Sequence, residues 1–150
     1  MNDETFMRAA LERAAVLKGR TGVNPTVGCV IVKEGVVIAT GATGEGGRPH
    51  AEEVACDAAG AAAKGATAYV TLEPCAQRST GAASCTDRLI SAGVARVVIA
   101  VSDPHPFADG AGVARLLAAE IDVEIGVCAV EAAALNADFF ARVRAESGGA

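Results

Sequence analysis

Apolar residues recur at Phe6, Met7, Ala10, Leu11, Ala14 and Leu17, the spacing of one helical face, which predicts an amphipathic helix over roughly residues 4–18. Gly19 and Gly22 break it. From Val27 to Val32 the pattern becomes a β-branched run, Lys33-Glu34-Gly35 supplies a turn, and Val36 to Ala39 resumes the apolar run, so a β-hairpin is expected. Four glycines and a proline between Gly41 and Pro49 read as a mobile loop. An alanine-rich helix is expected from about His50 to Ala63, a strand over Ala68 to Leu72, and a short helix over Cys85 to Ala92 stopped by Gly93. A strand over Arg96 to Val101, a helix around Ala111 to Ala119, a strand around Val123 to Val127 and a last helix from about Val130 to Val143 complete the chain.

A hairpin followed by alternating helices and strands implies an α/β fold, a three-layer α-β-α sandwich built on one mixed five-stranded sheet. No internal repeat or linker divides residues 1–150, which are expected to form a single domain. The tail from Glu146 to Ala150 is expected to fray.

Charge and composition narrow the function classes. A net charge of −5 opposes broad electrostatic binding to nucleic acid, and no Trp, one Tyr and four Phe leave few platforms for stacking bases. No run reaches the roughly 18 apolar residues of a membrane span, and Met1-Asn2-Asp3-Glu4 is acidic, unlike a secretion signal. Five cysteines without a repeating spacing point to reduced thiols in the cytoplasm, some of them on a metal.

The chemistry sits in His50-Ala51-Glu52, then Pro74-Cys75, then Cys85. One imidazole and two thiolates match the three protein ligands of a catalytic Zn2+ site that leaves a fourth position for water. Glu52 is two residues beyond His50, and in mid-helix the two side chains would diverge by about 200°. They converge only if His50 sits in the opening turn, which the glycine-rich approach allows. Pro74 is a frequent first helical residue, so Cys75 is expected to face free N–H groups at a helix start, and Cys85 likewise precedes a helical segment. The order and spacing follow the His-x-Glu and Pro-Cys…Cys pattern of zinc-dependent nucleobase deaminases, with nine residues between the cysteines in place of two. In that chemistry Glu52 takes a proton from the activated water, then protonates the ring nitrogen and the leaving amine, and ammonia departs.

Longer motifs carry a resemblance. Asn24-Pro25-Thr26-Val27-Gly28-Cys29-Val30, His50-Ala51-Glu52, Gly65 to Cys75, Ala92 to Val98 and Asp103-Pro104 resemble the deaminase domain of bacterial riboflavin biosynthesis over about residues 4–143. The resemblance implies the cytidine deaminase-like fold, a zinc-dependent aminohydrolase, and the substrate 2,5-diamino-6-ribosylamino-4(3H)-pyrimidinone 5′-phosphate. It also implies a homodimer or homotetramer, a separate reductase in place of the fused one common in these enzymes, and substrate contacts from Asn24 and the Ala51 segment. Between the cysteines that family typically reads Ser-His-x-Gly-x-Thr-Pro-Pro. This chain has Ala76 to Ser84 there, one residue longer, and Asp103-Pro104-His105-Pro106 replaces Asp-Pro-Asn-Pro.

Those departures keep a second enzyme reading open: a deaminase of another nucleobase or nucleoside, such as cytosine, guanine or a specialised-metabolite pyrimidine. A non-catalytic zinc module used for assembly is the reading from another class, and Glu52 discriminates against it. Arg78, Ser79 and Thr80 offer a phosphate one charge and two hydroxyls, or form a solvated loop. His105 is a substrate contact or an exposed loop residue, Arg48 an anion-steering charge or a solvated one, and Asn24 a ring contact or a turn residue. Cys29, Cys56 and Cys128 read as structural thiols, with Cys56 on the helical face of Glu52. Gly41 to Gly47 lacks the Gly-Lys-Ser/Thr ending of a phosphate-binding loop.

Overall fold

The computed structural model describes residues 2–22, 24–75, 84–102 and 110–146. Helix α1 (Asp3–Val16) starts at Asn2, whose side-chain oxygen accepts the Thr5 N–H, with Asp3 and Glu4 at the favourable end of the helix dipole. Strands β1 (Gly28–Lys33) and β2 (Val36–Ala42) form the expected hairpin, with a bulge at Ile38 where the register moves from Ile31 opposite Ala39 to Val32 opposite Val37. Helix α2 (Ala51–Ala59), β3 (Thr67–Val70), α3 (Cys85–Ala92), β4 (Arg96–Ile99), α4 (Ala111–Ala118), β5 (Asp122–Ile125), α5 (Ala129–Leu135) and α6 (Ala137–Glu146) follow.

The sheet order is β2-β1-β3-β4-β5. β1 is antiparallel to both its neighbours, whereas β3, β4 and β5 run parallel, so the sheet is mixed, as expected. Period-two alternation sends Cys29, Ile31, Ala68, Val70, Val97 and Ile99 to one face, where Ala51 and Ala55 of α2, Leu89 of α3 and Leu116 of α4 join them. Val30, Val32, Tyr69 and Val98 face the other way and meet Phe6, Met7 and Ala10 of α1 and Ala132 of α5. Helices therefore cover both faces. Among the described residues no helix is long and apolar enough to cross a membrane.

Two elements depart from the sequence pattern. The glycine-rich segment is partly strand, since Gly41 and Ala42 belong to β2, and Glu45–Gly47 forms a 3-10 turn closed by the Gly44 N–H on the Pro49 carbonyl at 2.9 Å. The last helix is two helices. Buried Asn136 separates α5 from α6, accepting from the Thr26 N–H at 2.9 Å and donating to the Thr26 carbonyl at 2.8 Å. A side chain committed to pairing another segment's backbone outweighs the unbroken alanine periodicity around it.

Candidate metal centre

His50 is the N-cap of α2, with extended φ −77° and ψ 153°. Its N–H donates to the Glu53 carboxylate at 3.2 Å, an N-terminal cap that fixes where the helix starts. Glu52 follows within the first turn and is buried, at 4% exposure. The non-helical backbone of His50 is what lets its side chain share a site with a residue two positions on, as the spacing required. Gly41 seats α2 on the sheet: a Cβ there would lie 2.3 Å from the Ala51 carbonyl oxygen and 2.7 Å from the Ala55 nitrogen.

Cys85 is the first residue of α3 and almost fully buried, behind the N-cap Ser84. Ser84 and Asp87 cap each other reciprocally: Ser84 Oγ accepts the Asp87 N–H and Asp87 accepts the Ser84 N–H, both at 3.1 Å. Cys75 is half-buried. Contrary to the sequence expectation, Pro74 and Cys75 lie outside any helix. Among the described residues the N–H that meets the Cys75 sulfur belongs to Cys85, at 3.3 Å, so the positive end of α3 serves Cys75 from across the site.

His50 Nδ1 lies 3.1 Å from Cys85 Sγ, and the ligand atoms of His50, Cys75 and Cys85 all fall within 4.8 Å of one another. Tetrahedral zinc with ordinary bond lengths places nitrogen and sulfur about 3.6 Å apart and two sulfurs about 3.8 Å apart. The donor set therefore fits a zinc ion in type and number, and its atoms are close enough together to share one ion.

The electrostatics agree. Hydrogen bonding from Cys85, reinforced by His50 and the Cys85 N–H and opposed by burial, draws the Cys75 thiol down to about 4. The Cys85 thiol is pushed strongly upward by its hydrogen bond to Cys75, by burial and by the nearby Glu52 charge. Two thiols this close resist ionising together, and a metal ion would displace the proton they retain. Burial pushes Glu52 up to about 7, aided by the Cys75 charge and opposed by a backbone hydrogen bond, His50 and Cys85. Cys29 and Cys56 are buried thiols, raised by burial and by Glu52, and so form apolar wall beside that carboxylate.

The other expected site residues divide. Asn24 is half-buried; its side-chain amide donates to the Gly47 carbonyl at 3.4 Å and its backbone carbonyl accepts from Thr21 Oγ1 at 2.8 Å, so it ties its turn to the loop leading to His50. The Ala51 side chain is fully buried, leaving its backbone as the part able to face a ligand. Arg48 is exposed, and Cys128 is half-buried at positive φ 59°. Arg78, Ser79, Thr80 and His105 lie outside the described residues.

Sequence reasoning did not single out Glu73, Ser84, Asp87 or Arg115. Glu73 is buried, and its carboxylate accepts the N–H groups of Gly110 at 3.0 Å and Val113 at 3.4 Å. Ser84-x-x-Asp87 was legible as a helix-start signature. The partners of Glu73 are about forty residues away in sequence.

A family model of the cytidine and deoxycytidylate deaminase zinc-binding region matches residues 1–101. The chain belongs to that family. It is 48% identical over 144 residues to the riboflavin biosynthesis protein RibD of Aquifex aeolicus, covering 96% of this chain and 40% of that protein. It is 40% identical over 144 residues to the diaminohydroxyphosphoribosylamino-pyrimidine deaminase of Buchnera aphidicola, covering 96% of this chain and 97% of that one. Among solved structures, RibD of Acinetobacter baumannii superposes with TM-score 0.89 at 45% identity, over 94% of this chain and 39% of that one. The chain thus spans about two fifths of the RibD proteins it matches. These similarities bear out the family and fold read from the motifs at Asn24, His50 and Gly65 to Cys75.

Proposed function

We propose that this chain is a zinc-dependent deaminase acting on an aminopyrimidine, and that its substrate is 2,5-diamino-6-ribosylamino-4(3H)-pyrimidinone 5′-phosphate. The observation that carries the reading is the convergence of His50, Cys75 and Cys85 within 4.8 Å, beside a buried carboxylate two residues from the histidine. The Buchnera relative, matched over 97% of its length and named for deamination of such a pyrimidine, supports the substrate class.

His50 and the sulfurs of Cys75 and Cys85 would hold the ion. When bound, zinc supplies a Lewis acid that makes water acidic near neutral pH. Glu52 accepts the proton of the attacking water as the carbon–oxygen bond forms. It gives that proton to the ring nitrogen, then takes the second from the new hydroxyl as this becomes the carbonyl and passes it to the amine, so the carbon–nitrogen bond breaks and ammonia leaves. A buried carboxyl group beside the metal donors is placed to take a proton and to return it.

Ammonia release from the diaminopyrimidine phosphate, with about one zinc per chain, is the direct test. The divergent segment Ala76 to Ser84 favours one second reading, turnover of another nucleobase or nucleoside. Turnover of cytosine or guanine with none of the phosphate would establish that alternative. Homodimeric or tetrameric assembly and a cytoplasmic location belong to the same proposal, and sedimentation and cell fractionation read them.

A further inference from the structure

Helix α4 contributes no metal donor, yet it touches the chain beside both sulfurs. At its start, the Glu73 carboxylate accepts the Gly110 and Val113 N–H groups, which anchors the residues leading directly into Pro74-Cys75. Gly112 permits the approach, because a Cβ there would lie 2.5 Å from the Pro74 carbonyl oxygen and 3.0 Å from Thr86 Oγ. Thr86 itself bonds that segment, its N–H reaching the Cys75 carbonyl at 3.1 Å. One turn along α4, on the same face, Arg115 donates to Ser84 Oγ at 3.4 Å and pairs with Asp87. Ser84 and Asp87 are the reciprocal cap that starts α3 at Cys85.

We propose that α4 positions the two thiolates, with Glu73 setting Cys75 and Arg115 setting Cys85 through the Ser84–Asp87 cap. Neither residue touches the ion; each acts through the backbone that carries a donor. The physical argument is geometric. A sulfur displaced by a few tenths of an ångström weakens a tetrahedral site, and a helix gripping both flanking segments removes that freedom. The pairing is also asymmetric in environment: Glu73 is buried at 3% exposure whereas the Arg115 side chain is 42% exposed. Loss of Arg115 therefore acts on donor geometry with little effect on the core.

The inference rests on the metal reading above, and the test separates the two. Zinc affinity by chelator competition and the cobalt(II) absorption spectrum are measured for wild type, Arg115→Ala, Arg115→Lys and Glu73→Gln, with thermal unfolding of each metal-free protein. The expected result is an affinity loss of about 10- to 100-fold for Arg115→Ala and Glu73→Gln. Their thiolate–cobalt bands shift, while Arg115→Lys recovers part of both. Metal-free Arg115→Ala is expected to unfold within a few degrees of wild type. Unchanged zinc affinity and cobalt spectrum in Arg115→Ala, with wild type binding zinc normally, would overturn the inference alone. Wild type that takes up no zinc would overturn the metal reading and this inference with it. Should Glu73→Gln not fold, the exposed Arg115 pair decides the question.

Discussion

His50 Nδ1 lies 3.1 Å from Cys85 Sγ although 35 residues separate them in the chain. That proximity is created by two helix starts aimed at one point, α2 beginning just after His50 and α3 at Cys85. It selects Nδ1 as the ring atom on the donor side, a detail the sequence pattern does not contain.

Glu52→Gln tests the proton shuttle. The substitution keeps shape and burial but removes the group that accepts a proton. Bound zinc is expected to stay near one per chain while turnover falls at least about a hundredfold. Unchanged turnover, measured as ammonia release, would remove Glu52 from the mechanism.

Replacing Cys75 by Ser leaves one thiolate and one imidazole. Stoichiometric zinc is expected to be lost on dialysis, with activity lost alongside it, and chelation of wild type followed by added zinc is expected to restore both. Metal analysis after dialysis reads the outcome; full zinc content in the variant would exclude Cys75 as a donor.

Asn136→Ala removes both partners of the Thr26 backbone at a buried site. A lost pair of this kind costs about 2 kcal/mol or more, because the Thr26 groups are left desolvated. The melting temperature is expected to drop while zinc stoichiometry is kept, since the site lies on other elements. An unchanged melting temperature would show that water replaces the amide without penalty.

Asp3 offers a pH test. Arg96 grips its carboxylate through two bonds at 2.9 and 2.7 Å, and the Tyr69 hydroxyl donates at 2.6 Å. Arg96 first, then Tyr69, draw the carboxyl from 3.8 down to about 2. A depressed native value stabilises the fold at pH above about 4, and the contribution fades as pH falls through about 2. Asp3→Asn is therefore expected to destabilise by about 1 kcal/mol at pH 7, the modest value of a partly solvated pair. Denaturant unfolding across pH should show the gap between variant and wild type narrowing from pH 4 to 2. A gap constant with pH would assign the effect to packing.

The sequence disclosed those parts of the molecule whose causes are local. Alternation in Val27 to Val32, the helical repeat from Phe6 to Leu17 and the stop at Gly93 each act through neighbouring residues, and each element formed where expected. The grouping of His50, Cys75 and Cys85 was legible because chemistry restricts which residue types suit a metal site. What escaped depends on partners far along the chain. Asn136 interrupts a helix to pair with Thr26, 110 residues away. Among the described residues the donor to Cys75 comes from the start of α3, and Pro74 is not helical. Glu73 and Arg115 reveal their roles only once α4 is folded against the segments beside the cysteines.

The mixed direction of the sheet also bears on the order of assembly. His50 follows the antiparallel hairpin, whose contacts are short-range and quick to close, whereas Cys75 and Cys85 depend on parallel strands that must await a long crossover. A zinc ion held by these three side chains would consequently sit at the seam between an early-forming and a late-forming half of the chain. Its uptake would mark completion of the topology rather than its nucleation, since a chain stalled before the crossover closes would have one donor in place instead of three.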